Sequence, residues 1–493
     1  MTTTDFLRSI FLTLLVTLGL SASDVVGQTP QATPPPPAPP RSVTFPKPEE
    51  RTLANGLRVI VIPRSTTPLV SAVLVIKNGG EIDPPELPGL ADMTANLLTK
   101  GTAKRDATKI AEEIESLGGT LDSGARWDSS TVSIGLMSQR IDAAMEILAD
   151  VVRNPTFKAD EIERLRQQNI DDITLAMGEP SSIARFVAAR VVFGDTKYGH
   201  PLSGTAESMA RISRDDITKL HSRFYRPDNA ILVIGGDITG VKGFSLATRY
   251  FGDWQKPATE IPGPSGALTF GIEPGRVVVV DKPDAGQAAV FLARTGITRR
   301  DLDYFRGIVT NSVLSGYSGR LNQEIRIKRG LSYGAASVLD TRREIGPFVA
   351  NAQTKNESGA EVAELLLGEI NRLVTAPPAD AELTPRKAVL IGNFSRNLET
   401  AVGLVNHIAS LALYGLSLDE INRYINNVQA VTTADVQKFA STRLDATRSN
   451  IIVVGNAKMF LPALQKQFRN VEVIPITELD LNTARLRKKQ PGE

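Results

Sequence analysis

The chain has 493 residues, 42% hydrophobic and 22% charged, a balance that supplies cores for two or three globular domains and excludes bulk disorder. Its 56 lysines and arginines are interspersed with 54 acids, which leaves no basic tract for nucleic acid. Cysteine is absent, so disulfides and a lipid-bearing N-terminal cysteine are excluded and packed cores must stabilise the fold.

At the N-terminus, Arg8, the apolar run Ile10 to Leu20 and the small residues Ser21-Ala22-Ser23 have the order of a secretory signal, and the run is too short to span a bilayer. Another cleavage point follows Gly27. Residues 1–27 are therefore expected to be a signal peptide and the protein to be exported, periplasmic or secreted, with no stable transmembrane segment after cleavage; an uncleaved anchor is the alternative. Residues 28–48 are proline-rich around Pro34-Pro35-Pro36-Pro37 and are expected to form an extended tether.

Leu53-Ala54-Asn55-Gly56-Leu57 carries an Asn-Gly turn signal before the strand-like Arg58 to Ile62, and Val70 to Lys77 reads as the next strand. Helical periodicity follows over Gly89 to Leu98, Ala107 to Leu117 and Ile141 to Val152, with the strand-like Ser129 to Leu136 between the last two. A long charged helix, Ala159 to Met177, precedes helix Arg214 to Phe224 and the apolar strand Ala230 to Gly235. Strands and helices that mix without strict alternation predict an α+β fold with mainly antiparallel sheets.

Proline and glycine interrupt the pattern from Pro257 to Gly275, and the chain then begins again. Arg276 to Val280 echoes Leu57 to Val61, while Asp435 to Arg443 and Asn450 to Gly455 echo Asp216 to Phe224 and Ala230 to Gly236. One offset, 219 residues, relates Arg58 to Val277, Lys219 to Lys438 and Gly236 to Gly455. The prediction is two homologous lobes, each a mainly antiparallel sheet covered by helices, at 49–255 and 276–475, with a linker at 256–275 and a tail at 476–493.

Read residue by residue, the chain offers little chemistry. His200, His221 and His407 are far apart, with no pair at helical spacing, and are expected to be packed or surface residues. No thiolate is available, and no serine sits in a Gly-x-Ser-x-Gly elbow with a histidine partner. Gly316-Tyr317-Ser318-Gly319 reads as a turn before a helix.

Six stretches carry a family resemblance: Leu53-Ala54-Asn55-Gly56-Leu57-Arg58-Val59, Pro88-Gly89-Leu90-Ala91, Lys100-Gly101-Thr102, Arg153-Asn154-Pro155-Thr156-Phe157, Phe224-Tyr225-Arg226-Pro227-Asp228-Asn229 and Arg329-Gly330-Leu331-Ser332-Tyr333-Gly334. In this order they resemble the landmarks of the insulinase, pitrilysin and mitochondrial processing peptidase family from about residue 49 to about 475, and Tyr198-Gly199-His200-Pro201 matches a loop landmark. The resemblance implies the duplicated processing-peptidase-like fold. In active members, His-x-x-Glu-His lies on a helix between the Gly-Leu-Ala and Lys-Gly-Thr landmarks; its histidines and a distant glutamate bind zinc and its own glutamate is the general base.

Here those motif positions fall on Asp92, Ala95 and Asn96, and the distant ligand on Asp172, with Leu165 where active members often carry another glutamate. Asp92 and Asp172 can be pictured as a rudimentary metal site, but Asn96 is a poor zinc ligand and Ala95 moves no proton. The chain is therefore expected to bind no cofactor and to be inactive alone.

In active relatives an arginine and a tyrosine seven positions apart reach from the C-terminal lobe toward zinc, and Arg326 and Tyr333 have that spacing. The resemblance implies a non-catalytic, substrate-positioning subunit of a heterodimeric exported zinc metallopeptidase that degrades peptides, zinc being bound by a homologous partner that bears the motif. It also implies that the Gly316 to Gly319 loop touches peptide, as a glycine-rich loop in a similar place does in the non-catalytic processing-peptidase subunit. The alternatives are a structural or binding protein with a degenerate peptidase fold and, third, an independently active peptidase with replaced ligands.

Overall fold

The computed structural model describes residues 45–262, 275–445 and 448–488; the signal-like segment, most of the proline-rich stretch and residues 263–274 lie outside them. Two six-stranded mixed sheets organise the chain. The first uses β1 (Glu49–Thr52), β2 (Arg58–Pro63), β3 (Leu69–Ile76), β4 (Thr120–Ala125), β5 (Ser130–Met137) and β6 (Ala230–Gly236), in the order β1-β2-β6-β3-β5-β4. The second uses β7 (Val277–Asp281), β8 (Ala288–Thr295), β9 (Ala335–Leu339), β10 (Pro347–Thr354), β11 (Asn450–Gly455) and β12 (Val471–Pro475), in the order β12-β7-β11-β8-β10-β9.

The duplication is carried at the level of single side chains. Strands β3 and β8 begin 219 residues apart, as do the helices Arg214–Phe224 and Thr433–Arg443. Both helices open on the same capping box: Ser213 and Asp216 exchange side-chain-to-backbone hydrogen bonds, as do Thr432 and Asp435. The copies differ at one edge, where β1 runs antiparallel to β2 but β12 runs parallel to β7. Asn55-Gly56 makes the β1–β2 turn: Gly56 has φ +94, and its N–H donates to the Leu53 carbonyl at 2.9 Å.

Val59-Ile60-Val61-Ile62 has no polar alternation because both faces of its strand are covered. Val59 and Val61 join the first lobe's main core, whereas Ile60 and Ile62 pack with Leu404, Val405 and Ile408. Those three belong to the helix Ala401–Leu413, which comes from the second half of the chain yet packs on β3 and β6. Reciprocally, the helix Pro180–Phe193 from the first half packs on β8 and β11, placing Ile183, Ala184 and Val187 against Val278, Val280 and Phe291. Each sheet is thus sealed on one face by a helix from the other half.

Both ends of the described chain are held by packing. Phe45 is buried and donates its N–H to the Asn422 side chain at 2.9 Å, and Leu479, Leu481 and Leu486 of the C-terminal segment are buried beside β7 and β11. Among the described residues, no helix is long and apolar enough to cross a membrane.

Candidate functional site

The motif positions lie on the helix Leu90–Leu97. Its start is held by the Asp83 carboxylate, which accepts the N–H of Gly89 at 2.7 Å and of Ala91 at 2.8 Å. Burial pushes the Asp83 carboxyl well up, against the pull of those two donors. Gly89 has φ +90, and a Cβ there would lie 2.9 Å from the Gly204 nitrogen and from the Ser203 oxygen, so the Pro88-Gly89 landmark is a backbone requirement. Beyond the helix, Thr102 donates to Asp150 at 2.7 Å and Arg105 at 2.8 Å, fixing the Lys100-Gly101-Thr102 exit. Burial pushes the Asp150 carboxyl up, but Asn154, Thr102 and Arg105 together hold it below its ordinary value.

Asp92 and Asn96, one turn apart, share a cleft of about 530 Å³ with Asp172 and Leu165 of the helix Ala159–Gly178. The fold therefore assembles three of the four positions read from the landmarks. Ala95 does not line the cleft and is fully buried. Burial raises the Asp92 carboxyl, opposed by the Ala125 N–H at 3.4 Å and by the Asn96 amide. Asp122 and Lys100 complete the charged lining.

A zinc site needs about three protein ligands, with imidazole or thiolate usual among them, and an open position for water. The motif positions offer two carboxylates and a neutral amide. Among the described residues, no group of three or more His, Cys, Asp or Glu side chains is placed to hold a metal ion, so the residues present do not fit zinc. The histidines serve packing: His200 Nε2 lies 3.1 Å from the Gly80 carbonyl and His221 Nε2 2.8 Å from that of Val152. Burial lowers all three imidazoles, His221 and His407 to about 4.

Tyr333 precedes edge strand β9 and is 91% exposed. It lines a pocket of about 190 Å³ with Ser181 and Arg185 of the helix Pro180–Phe193. Phe186, the next residue, lines the Asp92 cleft instead, so neighbouring positions of one helix face the two cavities. Arg326 sits in a wide π-type turn, Asn322–Lys328, with its guanidinium 5.2 Å from the Tyr317 ring centre in the Gly316 to Gly319 loop. Among the described residues, no hydrogen bond or ring contact joins Arg326 to Tyr333. Sequence reasoning missed Ser181, Arg185 and Phe186; the signal available was Pro180, a residue that suits the first position of a helix.

Two family models match in tandem, "Insulinase (Peptidase family M16)" over residues 58–206 and "Peptidase M16 inactive domain" over residues 211–390. An uncharacterized zinc protease of Streptomyces coelicolor is 23% identical over 411 residues, covering 83% of this chain and 89% of that protein. Among solved structures, a peptidase M16 inactive domain from Pseudomonas fluorescens superposes with a TM-score of 0.76 at 25% identity, covering 83% of this chain and 98% of that one. A protease from Helicobacter pylori superposes with a TM-score of 0.79 at 22% identity over 84% of this chain and 100% of its own, a likeness of fold. With its landmarks in order, both halves matched and its motif positions held by Asp92, Ala95 and Asn96, the chain belongs to the insulinase-type M16 peptidase family as a member without the zinc motif.

Proposed function

We propose that this chain is the non-catalytic, substrate-positioning subunit of an exported two-chain zinc peptidase that degrades peptides. One contrast carries the reading: the cleft that corresponds to the family's metal site has no imidazole, whereas Tyr333 is 91% exposed at the opposite lobe's edge. A tyrosine kept only for packing has no reason to stand out of the surface, while one that serves a second chain must. A homologous partner with the zinc motif supplies the metal and the general base.

In this reading, Tyr333 donates its O–H to the substrate oxygen that gains negative charge as the scissile carbonyl becomes tetrahedral. Arg326 makes no ion pair among the described residues, so its planar donors are free to hold a neighbouring peptide carbonyl. The test measures zinc content and peptide hydrolysis for the chain, for a zinc-motif homologue from the same organism, and for their mixture. Activity appears in the mixture and falls about 100- to 1,000-fold with Tyr333→Phe. Zinc-dependent hydrolysis by the chain alone overturns the proposal, and mixture activity indifferent to Tyr333→Phe replaces it with the degenerate structural protein.

A further inference from the structure

The pocket of about 190 Å³ at Tyr333 has an unusual chemical balance. Seven of its lining residues carry side-chain donors; Ser332 spends its own on the Gly334 carbonyl, which leaves six, Ser181, Arg185, Gln287, Tyr333, Asn351 and Gln353. None of the six side chains makes a hydrogen bond or ion pair with another described residue, and neither aspartate nor glutamate lines the pocket. Elsewhere the chain pairs its arginines freely: Arg320 with Glu382, Arg329 with Glu324 and Glu361, Arg105 with three acids. Arg185, like Arg326, makes no ion pair among the described residues, and it is the one charged side chain that lines this pocket.

The donors converge from separate elements whose placement the fold fixes. Ser181 and Arg185 are on the exchanged helix Pro180–Phe193, and Asn351 and Gln353, two apart on β10, project from the same face of the second sheet. Asn351 pairs with Phe291 across the ladder, and Phe291 packs in the core beneath that helix, so the floor beneath the donors is rigid. A guanidinium and neutral amides around a small volume, without a competing acid, suit a bound carboxylate.

We propose that this pocket binds a carboxylate of a peptide, with Arg185 as its charge partner and the amides of Gln287, Asn351 and Gln353 as neutral donors, while Tyr333 borders it and keeps its hydroxyl for the scissile carbonyl. The inference rests on the proposed function for the class of molecule that carries the carboxylate. The bearer is either the peptide's C-terminus or an acidic side chain, and both present the same group.

The experiment is equilibrium binding of fluorescent peptides to the full chain without any partner. Three peptides share one neutral sequence: one with a free C-terminal carboxylate, one amidated, and one amidated with an internal glutamate. A carboxylate-bearing peptide binds about tenfold or more tightly than the amidated neutral one, and Arg185→Gln removes that preference. Preference for the first peptide identifies the C-terminus as the bearer, and preference for the third an acidic side chain. Equal binding of all three, or a preference that survives Arg185→Gln with folding unchanged by circular dichroism, overturns the proposal. Because the readout needs no partner and no turnover, an inactive mixture with the preference intact removes the proposed function and leaves the pocket standing.

Discussion

Arg343 and Glu81 join the two halves of the chain, with guanidinium and carboxylate 3.2 Å apart, while another Arg343 nitrogen donates to the Lys77 and Asp128 carbonyls at 2.7 and 2.9 Å. Glu81 is 5% exposed, and burial raises its carboxyl to about 7, with Arg343 the largest opposing influence. The folded state therefore holds this proton more tightly than the unfolded chain. Glu81's contribution to stability is complete below its ordinary value and is lost as pH rises through about 7. Glu81→Gln is expected to match the parent near pH 4 and to exceed it at pH 8 by up to about 3 kcal/mol. Urea melts at the two pH values check this; an equal difference at both contradicts it.

The neighbouring Arg342 is buried with its guanidinium 4.5 Å from the Trp127 ring centre, 4.8 Å from that of Tyr198 and 5.4 Å from that of Phe193. Its Nη2 pairs with Asp340 at 2.8 Å, so this turn between β9 and β10 inserts a cation into an aromatic box of the other half. Arg342→Ala is predicted to cost about 2–4 kcal/mol and to lower the thermal midpoint by several degrees. Arg342→Lys recovers only part, because an ammonium lacks the flat face that lies against the rings. Full recovery with lysine would show that charge alone matters there.

The Asp92 cleft makes a constructive test possible. Asp92→His, Ala95→Glu, Asn96→His and Asp172→Glu together restore the family motif on positions of which three already face one cavity. The quadruple variant should retain about one zinc per chain through dialysis, since two imidazoles and a carboxylate form a complete ligand set, while the parent retains none. Metal analysis by plasma mass spectrometry reads the outcome. A parent that keeps stoichiometric zinc would reverse the account of the cleft.

Arg226 is 2% exposed and holds Asp228 with two nitrogens, at 2.6 and 3.0 Å, while donating to the Pro257 and Thr259 carbonyls at 3.0 and 2.7 Å. One guanidinium thus ties the end of the first lobe to the stretch that leaves it. Arg226→Ala should speed cleavage after the exposed Glu260 by a glutamyl endopeptidase several-fold, and Arg226→Lys should not restore resistance because an ammonium cannot reproduce the fork. Unchanged cleavage would place the control of that stretch elsewhere.

Several elements were legible because their signals are local. The helix Arg214–Phe224 carries its capping box and the strand Asn450–Gly455 its apolar run, and both occupy the expected residues. The Asp92, Asn96 and Asp172 cluster was legible through landmark order, since it needed only the count between Gly89 and Lys100 and along one charged helix. The helices Pro180–Phe193 and Ala401–Leu413 were not, because each is apolar over most of its circumference and gives no amphipathic stripe. Strand β4, Thr-Leu-Asp-Ser-Gly-Ala, has Thr120 as its one strong β-former, a weak local signal that an edge strand tolerates. For Arg185 the signal stopped at the helix start marked by Pro180: its meaning comes mainly from residues about a hundred or more positions away that only the folded sheet brings beside it.

The exchange of helices between the halves has a consequence for how the chain came to be one chain. A single half, freed from its copy, would expose one apolar sheet face and offer one apolar helix, the composition of a protomer that swaps elements with an identical neighbour. The present molecule has the arrangement of such a swapped pair within one chain, since the two exchanged helices, Pro180–Phe193 and Ala401–Leu413, occupy corresponding places in the repeat. Severed between the lobes, the two fragments should be unstable apart and should reassemble when made together, as halves of a single cooperative unit.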